Sequence, residues 1–287
     1  MGKTASGGTA SGTYPKIWTG CDGMVDAGRA GPGRIRLAPR MPLTTFAGSR
    51  LFGVRHGHDR PWVLALHGWR RSHRDFAAVL DGFDAIALDL PGFGVAAPPA
   101  AGWSTAEYAE WVAPVLDEMV ERPVVLGHSF GGRVAVHLGA ARGDRVGAQV
   151  LTGVPLVAPL GTSRKRGPRA VRVGRALHRA HLVSDTRMDA LRQRYGSADY
   201  RAATGVMREV LVKAVGEDGA YGDLVASYGG PIELVWGEND TVTPVAMAEE
   251  AVTRCRDGRL EVVAGADHLT PAHATAELRA ALARHRP

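Results

Sequence analysis

The chain has 287 residues and a hydrophobic fraction of 45%, so it is long enough for one large globular α/β domain with an insertion. No apolar run approaches the roughly 18 to 20 residues that cross a bilayer, and the start lacks a signal-peptide pattern; we therefore expect a cytoplasmic protein. Cys21 and Cys255 lie in unrelated contexts, so neither a disulfide framework nor a zinc site is indicated, and the net charge of +6 comes without a nucleic-acid-binding motif.

Residues 1–41 are rich in Gly, Ser, Thr, Ala and Pro and show almost no apolar periodicity. Such a segment cannot bury enough surface to offset the entropy of ordering it, so we predict a disordered N-terminal extension. The first foldable sequence opens at Met41, which would make a natural alternative start. Alternating apolar residues at 44–56 then predict an antiparallel hairpin at a sheet edge.

Strands and helices alternate regularly after Pro61. The predicted strands are 62–69, 85–90, 124–126 and 146–154, and the helices between them are 72–80 and 104–120. The alternation stops after Pro155 in an Arg-rich helical stretch, and it returns with strands at 231–236 and 260–263 and helices at 245–256 and 271–284. This pattern predicts an α/β domain at 42–287 with a doubly wound, mostly parallel sheet, and a helical lid inserted at 155–227.

A G-x-S-x-G motif at 127–131 joins a buried-type strand to an Ala/Val/Leu-rich helix. In a strand, sharp turn and helix of this kind, the serine takes a strained backbone position, and Gly127 and Gly131 leave room for the chain that passes close by. Ser129 would then stand at the positive end of the helix with its hydroxyl open to a substrate.

Two further polar residues follow late strands of the predicted sheet. Asp240 comes after the strand at 231–236, and His268 comes after the strand at 260–263. Ligands of open parallel sheets bind beyond the carboxyl ends of the strands, where these residues and Ser129 would meet. The order Ser, Asp, His at strand ends resembles the α/β-hydrolase fold family, and the resemblance extends from about Thr44 to the C-terminus and weakens through the lid.

The resemblance implies a role for each residue of this set. Ser129 would be the nucleophile, His268 the general base, and Asp240 the acid that orients the imidazole and stabilises its charged form. The oxyanion hole would use the backbone N–H groups of Trp69 and Phe130. Nothing in this set requires a metal or an organic cofactor.

Neighbouring residues compete for two of these roles. Glu238 precedes Asp240 by two positions and could be the acid, but the family's G-x-x-D pattern falls on Asp240. His273 lies five residues after His268, but it falls in the predicted last helix, where a solvent-facing histidine is the simpler interpretation.

Other polar residues near the strand ends are interpreted as structural: His67, Asp89, His128 and Asp267. His67 would brace the oxyanion loop, and His128 would only fill the variable position of the motif. Arg70 and Arg71 follow the oxyanion donor and are interpreted as exposed loop arginines, with contact to an anionic substrate as the alternative.

The residue type of the nucleophile limits the reactions that we expect within this fold. Haloalkane dehalogenases and epoxide hydrolases of the family carry Asp in place of Ser129, so the serine favours acyl chemistry. We predict hydrolysis of a carboxylic ester or related acyl bond in a small molecule, without a nucleic-acid or membrane partner. Two alternatives stay open: C–C bond hydrolysis of ring-fission products, and a non-catalytic ligand receptor on the same fold.

Overall fold

An eight-stranded sheet forms the centre of the computed structural model, which describes residues 42–157, 173–174, 176–178, 180–184, 186–188, 190, 194, 198–217 and 221–287. The predicted extension at 1–41 lies outside the described residues, as does much of the predicted lid at 155–227.

The strands are β1 Leu43–Phe46, β2 Leu51–His56, β3 Val63–Leu66, β4 Ala85–Asp89, β5 Val124–His128, β6 Ala148–Thr152, β7 Pro231–Gly237 and β8 Asp257–Val263. Their order in the sheet is β1-β2-β4-β3-β5-β6-β7-β8. The hairpin of β1 and β2 is antiparallel and forms one edge, β2 is also antiparallel to β4, and all other neighbours are parallel. This order brings the carboxyl ends of β5, β6, β7 and β8 side by side.

The α-helices whose bounds lie within the described ranges are α1 Thr105–Val112, α2 Phe130–Ala141, α3 Ala198–Ala202, α4 Gly205–Gly216, α5 Tyr221–Ser227, α6 Val245–Val252, α7 Thr270–His273 and α8 Thr275–Arg284. Segments of 3₁₀ helix occupy His73–Phe76 and Ala113–Glu118. In the ranges described above, no helix is both long enough and apolar enough to cross a membrane.

Both faces of the sheet are covered. Alternate residues of a strand point to opposite faces, and all four residues of β3 are buried. Leu64 and Leu66 belong to a core that includes residues of α1, α2, α5 and α6, whereas Val63 and Ala65 belong to a second core that includes residues of α8. The mostly parallel sheet with helices on both faces confirms the predicted fold class.

Two predicted helices before the serine turn are shorter than the apolar spacing suggested. The segment predicted as a helix at 72–80 is a 3₁₀ turn at His73–Phe76, and the Arg279 side chain donates hydrogen bonds to later carbonyls, at 2.9 Å for Val79 and 2.6 Å for Asp81. The helix predicted at 104–120 ends as α1 at Val112. Pro114 stands at the start of the 3₁₀ segment that follows, where its missing N–H breaks the α-helical hydrogen bonds.

The last strand and the last helix also differ from their predicted bounds. β8 begins at Asp257 rather than at residue 260, because an edge strand pairs on one side only and its exposed start does not need apolar residues. The predicted helix at 271–284 is split into α7 and α8 at Ala274, whose φ of −132° and ψ of 40° are not helical.

Candidate active site

Ser129 lies in a sharp turn between β5, which ends at His128, and α2, which begins at Phe130. Its backbone has φ 49° and ψ −110°, a combination that non-glycine residues rarely adopt and that costs on the order of 1–3 kcal/mol. The surrounding chain enforces the turn, since a Cβ on Gly131 would overlap the Leu66 carbonyl oxygen. The turn therefore leaves Ser129 half-buried between two fully buried neighbours.

The structure brings Ser129, His268 and Asp240 together, although 139 residues separate the first two. His268 Nε2 lies 3.2 Å from Ser129 Oγ, and His268 Nδ1 lies 2.8 Å from Asp240 Oδ2. The Asp240 side chain is 1% exposed and that of His268 is 21% exposed. The carboxylate is thus shielded from water, while the imidazole keeps an open edge toward Ser129.

Four hydrogen bonds fix the Asp240 carboxylate. Oδ1 accepts from the backbone N–H groups of Val242 and Thr243, both at 2.8 Å, and Oδ2 accepts from the Thr243 hydroxyl at 2.6 Å and from His268 Nδ1. Burial alone would raise the pKa of Asp240, but the hydrogen bonds from His268 and Thr243 outweigh it and hold the pKa below its usual range. The ionised carboxylate accepts a hydrogen bond from His268 Nδ1–H, which leaves the lone pair of Nε2 free to accept a hydrogen bond from the Ser129 hydroxyl.

The loop after β3 lies against the serine turn. The Gly131 N–H donates to the His67 carbonyl at 3.0 Å, and a Cβ on Gly68 would lie 3.4 Å from Ser129 Cβ. The His67 side chain braces this loop, since Nδ1 donates to the Gly68 carbonyl at 2.8 Å and Nε2 accepts the Leu90 N–H at 3.0 Å.

The backbone N–H groups of Trp69 and Phe130 flank this junction. Across the described part of the chain, neither N–H donates a hydrogen bond to another protein group. A substrate oxygen between them would be the missing acceptor, as an oxyanion hole requires.

The competing residues lie elsewhere. Glu238 accepts the Gly265 N–H at 3.0 Å on the surface, and Asp267 forms an exposed ion pair with His273 at 2.8 Å. Asp89 accepts the backbone N–H and Nδ1 of His73 and the N–H of Val95, which ties two loops together. The structure therefore places Asp240, and not Glu238, against His268.

Residues 63–281 match the model of the alpha/beta hydrolase family. The chain belongs to this family. The match covers well over half of the chain, and it confirms the resemblance found in the ordered Ser, Asp and His motifs.

Several proteins similar to this alpha/beta hydrolase carry functional names. An acetyltransferase component of the acetoin cleaving system of Cupriavidus necator is 28% identical over 83% of this chain and 67% of its own length. Lipase LipV of Mycobacterium tuberculosis is 44% identical over 34% of this chain and 39% of its own length. A thermophilic esterase from Thermogutta terrifontis has a similar fold, with a TM-score of 0.59 and 18% identity over 82% of this chain and 95% of that one. The family match, together with the similarity to a named lipase, supports a hydrolase.

Three rings of this alpha/beta hydrolase form a wall beside the serine turn, which we call the aromatic wall: Trp69, Phe93 and Phe130. The centroid of the Trp69 ring lies 4.9 Å from that of Phe93 and 5.4 Å from that of Phe130. Trp69 and Phe93 also line a cavity of about 340 Å³, together with Arg70, Arg71, Gly92, Gly94, Ala202, Ala203, Thr204 and Met207. Neither Ser129 nor His268 lines this cavity, so it lies beside the loop of Trp69 and not over Ser129 and His268.

The two loop arginines of this cavity face carboxylates. Arg71 makes a bidentate pair with Asp75, at 2.6 and 2.7 Å, and Arg70 lies 3.6 Å from Asp199 of α3. Both cations are therefore engaged by the protein itself. In the described ranges, no three His, Cys, Asp or Glu side chains are grouped so that they could hold a metal ion.

Thr243 is the residue of the site that the sequence analysis missed. Its hydroxyl lies 3.4 Å from His268 Nδ1 as well as 2.6 Å from Asp240. The sequence feature that indicates this role is a threonine three residues after Asp240. At that spacing, a turn brings the backbone N–H and the hydroxyl of the threonine within hydrogen-bonding distance of the carboxylate.

Proposed function

We propose that this hydrolase cleaves a carboxylic ester of a small molecule through an acyl-enzyme on Ser129. The observation that carries the proposal is the continuous line of hydrogen bonds from Ser129 Oγ through both nitrogens of His268 to Asp240. A serine hydroxyl is a weak nucleophile at neutral pH, and this line supplies the base that it needs.

In the acylation step, Ser129 Oγ attacks the ester carbonyl carbon while His268 Nε2 takes the hydroxyl proton. The carbonyl π electrons move to the oxygen, and the Trp69 and Phe130 N–H groups stabilise that oxyanion. The intermediate collapses as His268 returns the proton to the leaving alcohol, and an ester of Ser129 remains. Water then attacks this ester with His268 again as base, releasing the acid and restoring the serine.

Asp240 and the oxyanion donors supply the electrostatics of both steps. The ionised carboxylate stabilises the imidazolium that forms when His268 holds the serine proton. Removing one oxyanion donor typically raises the barrier by about 2.7–4 kcal/mol. Trp69 and Phe130 contribute through their backbone N–H groups, so this role does not depend on the chemistry of their side chains.

The test is turnover of a panel of p-nitrophenyl esters and thioesters, combined with covalent labelling by an organophosphonate. We expect ester turnover, labelling of Ser129 located by peptide mass, and loss of nearly all turnover in Ser129→Ala with an unchanged melting temperature. Labelling of another residue, or a Ser129→Ala variant that keeps more than a few per cent of kcat, would contradict the proposal.

Two other outcomes of the same panel correspond to the alternatives. Turnover confined to vinylogous ring-fission ketones would indicate a C–C hydrolase. Ligand binding without turnover of any substrate would indicate a receptor on this fold.

A further inference from the structure

The side chain of His128 packs against His268, the candidate base. It is the last residue of β5 and stands directly before Ser129, and it is 2% exposed. Its Nε2 lies 2.9 Å from the backbone carbonyl oxygen of His268, and the centroids of the two rings are 5.2 Å apart. The side chain of β5 next to the serine thus contacts the main chain of the histidine loop.

This contact fixes the tautomer of His128. A carbonyl oxygen can only accept, so the proton of a neutral His128 ring resides on Nε2. Nδ1 then presents a bare lone pair; it is buried and has no hydrogen-bond partner among the described residues. Nδ1 faces the oxyanion loop, because a Cβ on Gly68 would lie 2.8 Å from it. The ring therefore fills the gap between the loop of Gly68 and the loop of His268.

A second donor reaches the same carbonyl from the start of α7. The Thr270 hydroxyl lies 3.4 Å from the His268 carbonyl oxygen, and it accepts a 2.5 Å hydrogen bond from Thr152 at the end of β6. The longer distance makes Thr270 the weaker donor. Of these two donors, His128 thus makes the stronger hydrogen bond to the main chain of the candidate base.

We propose that His128 is a positioning residue, whose Nε2–H holds the His268 carbonyl and so sets the distance between the His268 imidazole and Ser129. This inference rests on the proposed function. Asp240 fixes only the far end of the imidazole, at Nδ1, and leaves the position of the His268 backbone to this second anchor. Because the anchor is the last residue of β5 and the nucleophile directly follows it, a shift of one is transmitted to the other.

The charge of His128 suits this role. Burial, followed by the neighbouring His268, lowers the pKa of His128 to about 4, so the ring is neutral near pH 7. A cation at this place would oppose the imidazolium that His268 forms when it takes the serine proton. The neutral ring donates the hydrogen bond without that repulsion.

The experiment compares His128→Met, which keeps apolar bulk without a donor, with His128→Gln, whose amide places an N–H near the position of Nε2. The matched control is His137→Leu, a partly buried histidine of α2 beside Tyr221. For each variant, the rate constant for organophosphonate labelling of Ser129 and the kcat and KM for a p-nitrophenyl ester are measured, with the melting temperature.

We expect His128→Met to slow labelling and kcat by about 10- to 100-fold, since displacing a reacting group by about 1 Å can cost 100-fold. KM should stay within about threefold in the same variant, because the anchor does not touch substrate. His128→Gln should recover most of the lost rate, and His137→Leu should match the wild type.

Equal losses in the Met and Gln variants would overturn the proposal, because they would show that ring packing and not the donor matters. A Met variant with the wild-type rate would overturn it too. A wild-type protein that is not labelled at all overturns the proposed function, and this inference with it.

The wild-type protein gives an independent test that needs no variant to fold. In histidine-labelled ¹⁵N spectra, His128 should be the neutral Nε2–H tautomer with a slowly exchanging proton. The Nδ1–H tautomer would overturn the proposal.

Discussion

The Thr243 hydroxyl donates a 2.6 Å hydrogen bond to Asp240, on the same oxygen that faces His268. One carboxylate oxygen thus accepts hydrogen bonds from both the Thr243 hydroxyl and the His268 imidazole. Thr243→Val removes the hydroxyl and keeps the shape, so the Asp240 carboxylate loses one of its four donors. A hydrogen bond to a charged group is worth about 1.5–3 kcal/mol, and we expect the free energy of unfolding at pH 7 to fall by about that amount, with a several-fold lower kcat.

Thr243→Ser keeps the hydroxyl and should retain most of the free energy of unfolding and most of kcat. Denaturant titration measures the first quantity, and ester turnover measures the second. Thr253→Val serves as the control, because the Thr253 hydroxyl donates to the Glu250 carbonyl on the surface. If Thr243→Val and Thr253→Val behaved alike, the Thr243 hydroxyl would have no special role.

Asp240→Asn should preserve the geometry of the site while presenting an amide to His268 Nδ1. An amide N–H in that place favours the wrong imidazole tautomer, and by analogy with serine-protease triads we expect kcat to fall by about 10³- to 10⁴-fold. Glu238→Gln is the matched control, since Glu238 lies near the surface and accepts from the Gly265 N–H rather than from His268. A large loss in Glu238→Gln with a small one in Asp240→Asn would reverse the assignment of the acid.

Glu233 of β7 makes stability depend on acid pH. Burial alone would raise its pKa, but hydrogen bonds from Arg284 and His285 outweigh burial and lower the pKa below its usual range. A carboxyl with a depressed folded-state pKa stabilises the protein above its unfolded-state pKa, about 4.3, and loses that contribution as pH falls through the folded-state value.

We therefore expect the free energy of unfolding of the wild type to fall as pH drops below about 4.5, and to fall less steeply in Glu233→Gln. Denaturant titrations at a series of pH values measure both slopes. The control is Glu249→Gln on the exposed face of α6, which should keep the wild-type slope. Identical slopes in the two variants would show that Glu233 does not contribute.

Gly131 and Gly216 offer a matched pair for the close packing at the serine turn. A Cβ on Gly131 would overlap the Leu66 carbonyl oxygen, whereas a Cβ on Gly216 would meet nothing within 4 Å. Gly131→Ala should destabilise the protein by about 1–3 kcal/mol and displace Ser129. Gly216→Ala, at the end of α4, should stabilise it by about 0.4–1 kcal/mol. Thermal unfolding and ester turnover distinguish these outcomes, and a Gly131→Ala variant with wild-type stability would contradict the packing argument.

The sequence by itself determined the family, the sheet class and the turn that presents Ser129. These features depend on neighbouring residues in the chain. A run of apolar residues indicates a buried strand, and apolar residues at helical spacing indicate a helix. In the G-x-S-x-G turn, two glycines occupy positions without room for a Cβ. The order of Ser129, Asp240 and His268 at strand ends was equally readable, because the carboxyl ends of parallel strands share one edge.

Only the tertiary structure decided the distances and the hydrogen bonds between the side chains at that edge. The hydrogen bond between Ser129 and His268 spans 139 residues, and that between His128 and the His268 carbonyl spans 140. Likewise, Arg279 of α8 donates hydrogen bonds to the carbonyls of Val79 and Asp81, about 200 residues earlier. No local pattern encodes such contacts, because they depend on how the helices and loops pack on the sheet, and that packing fixes distances between residues remote in the chain.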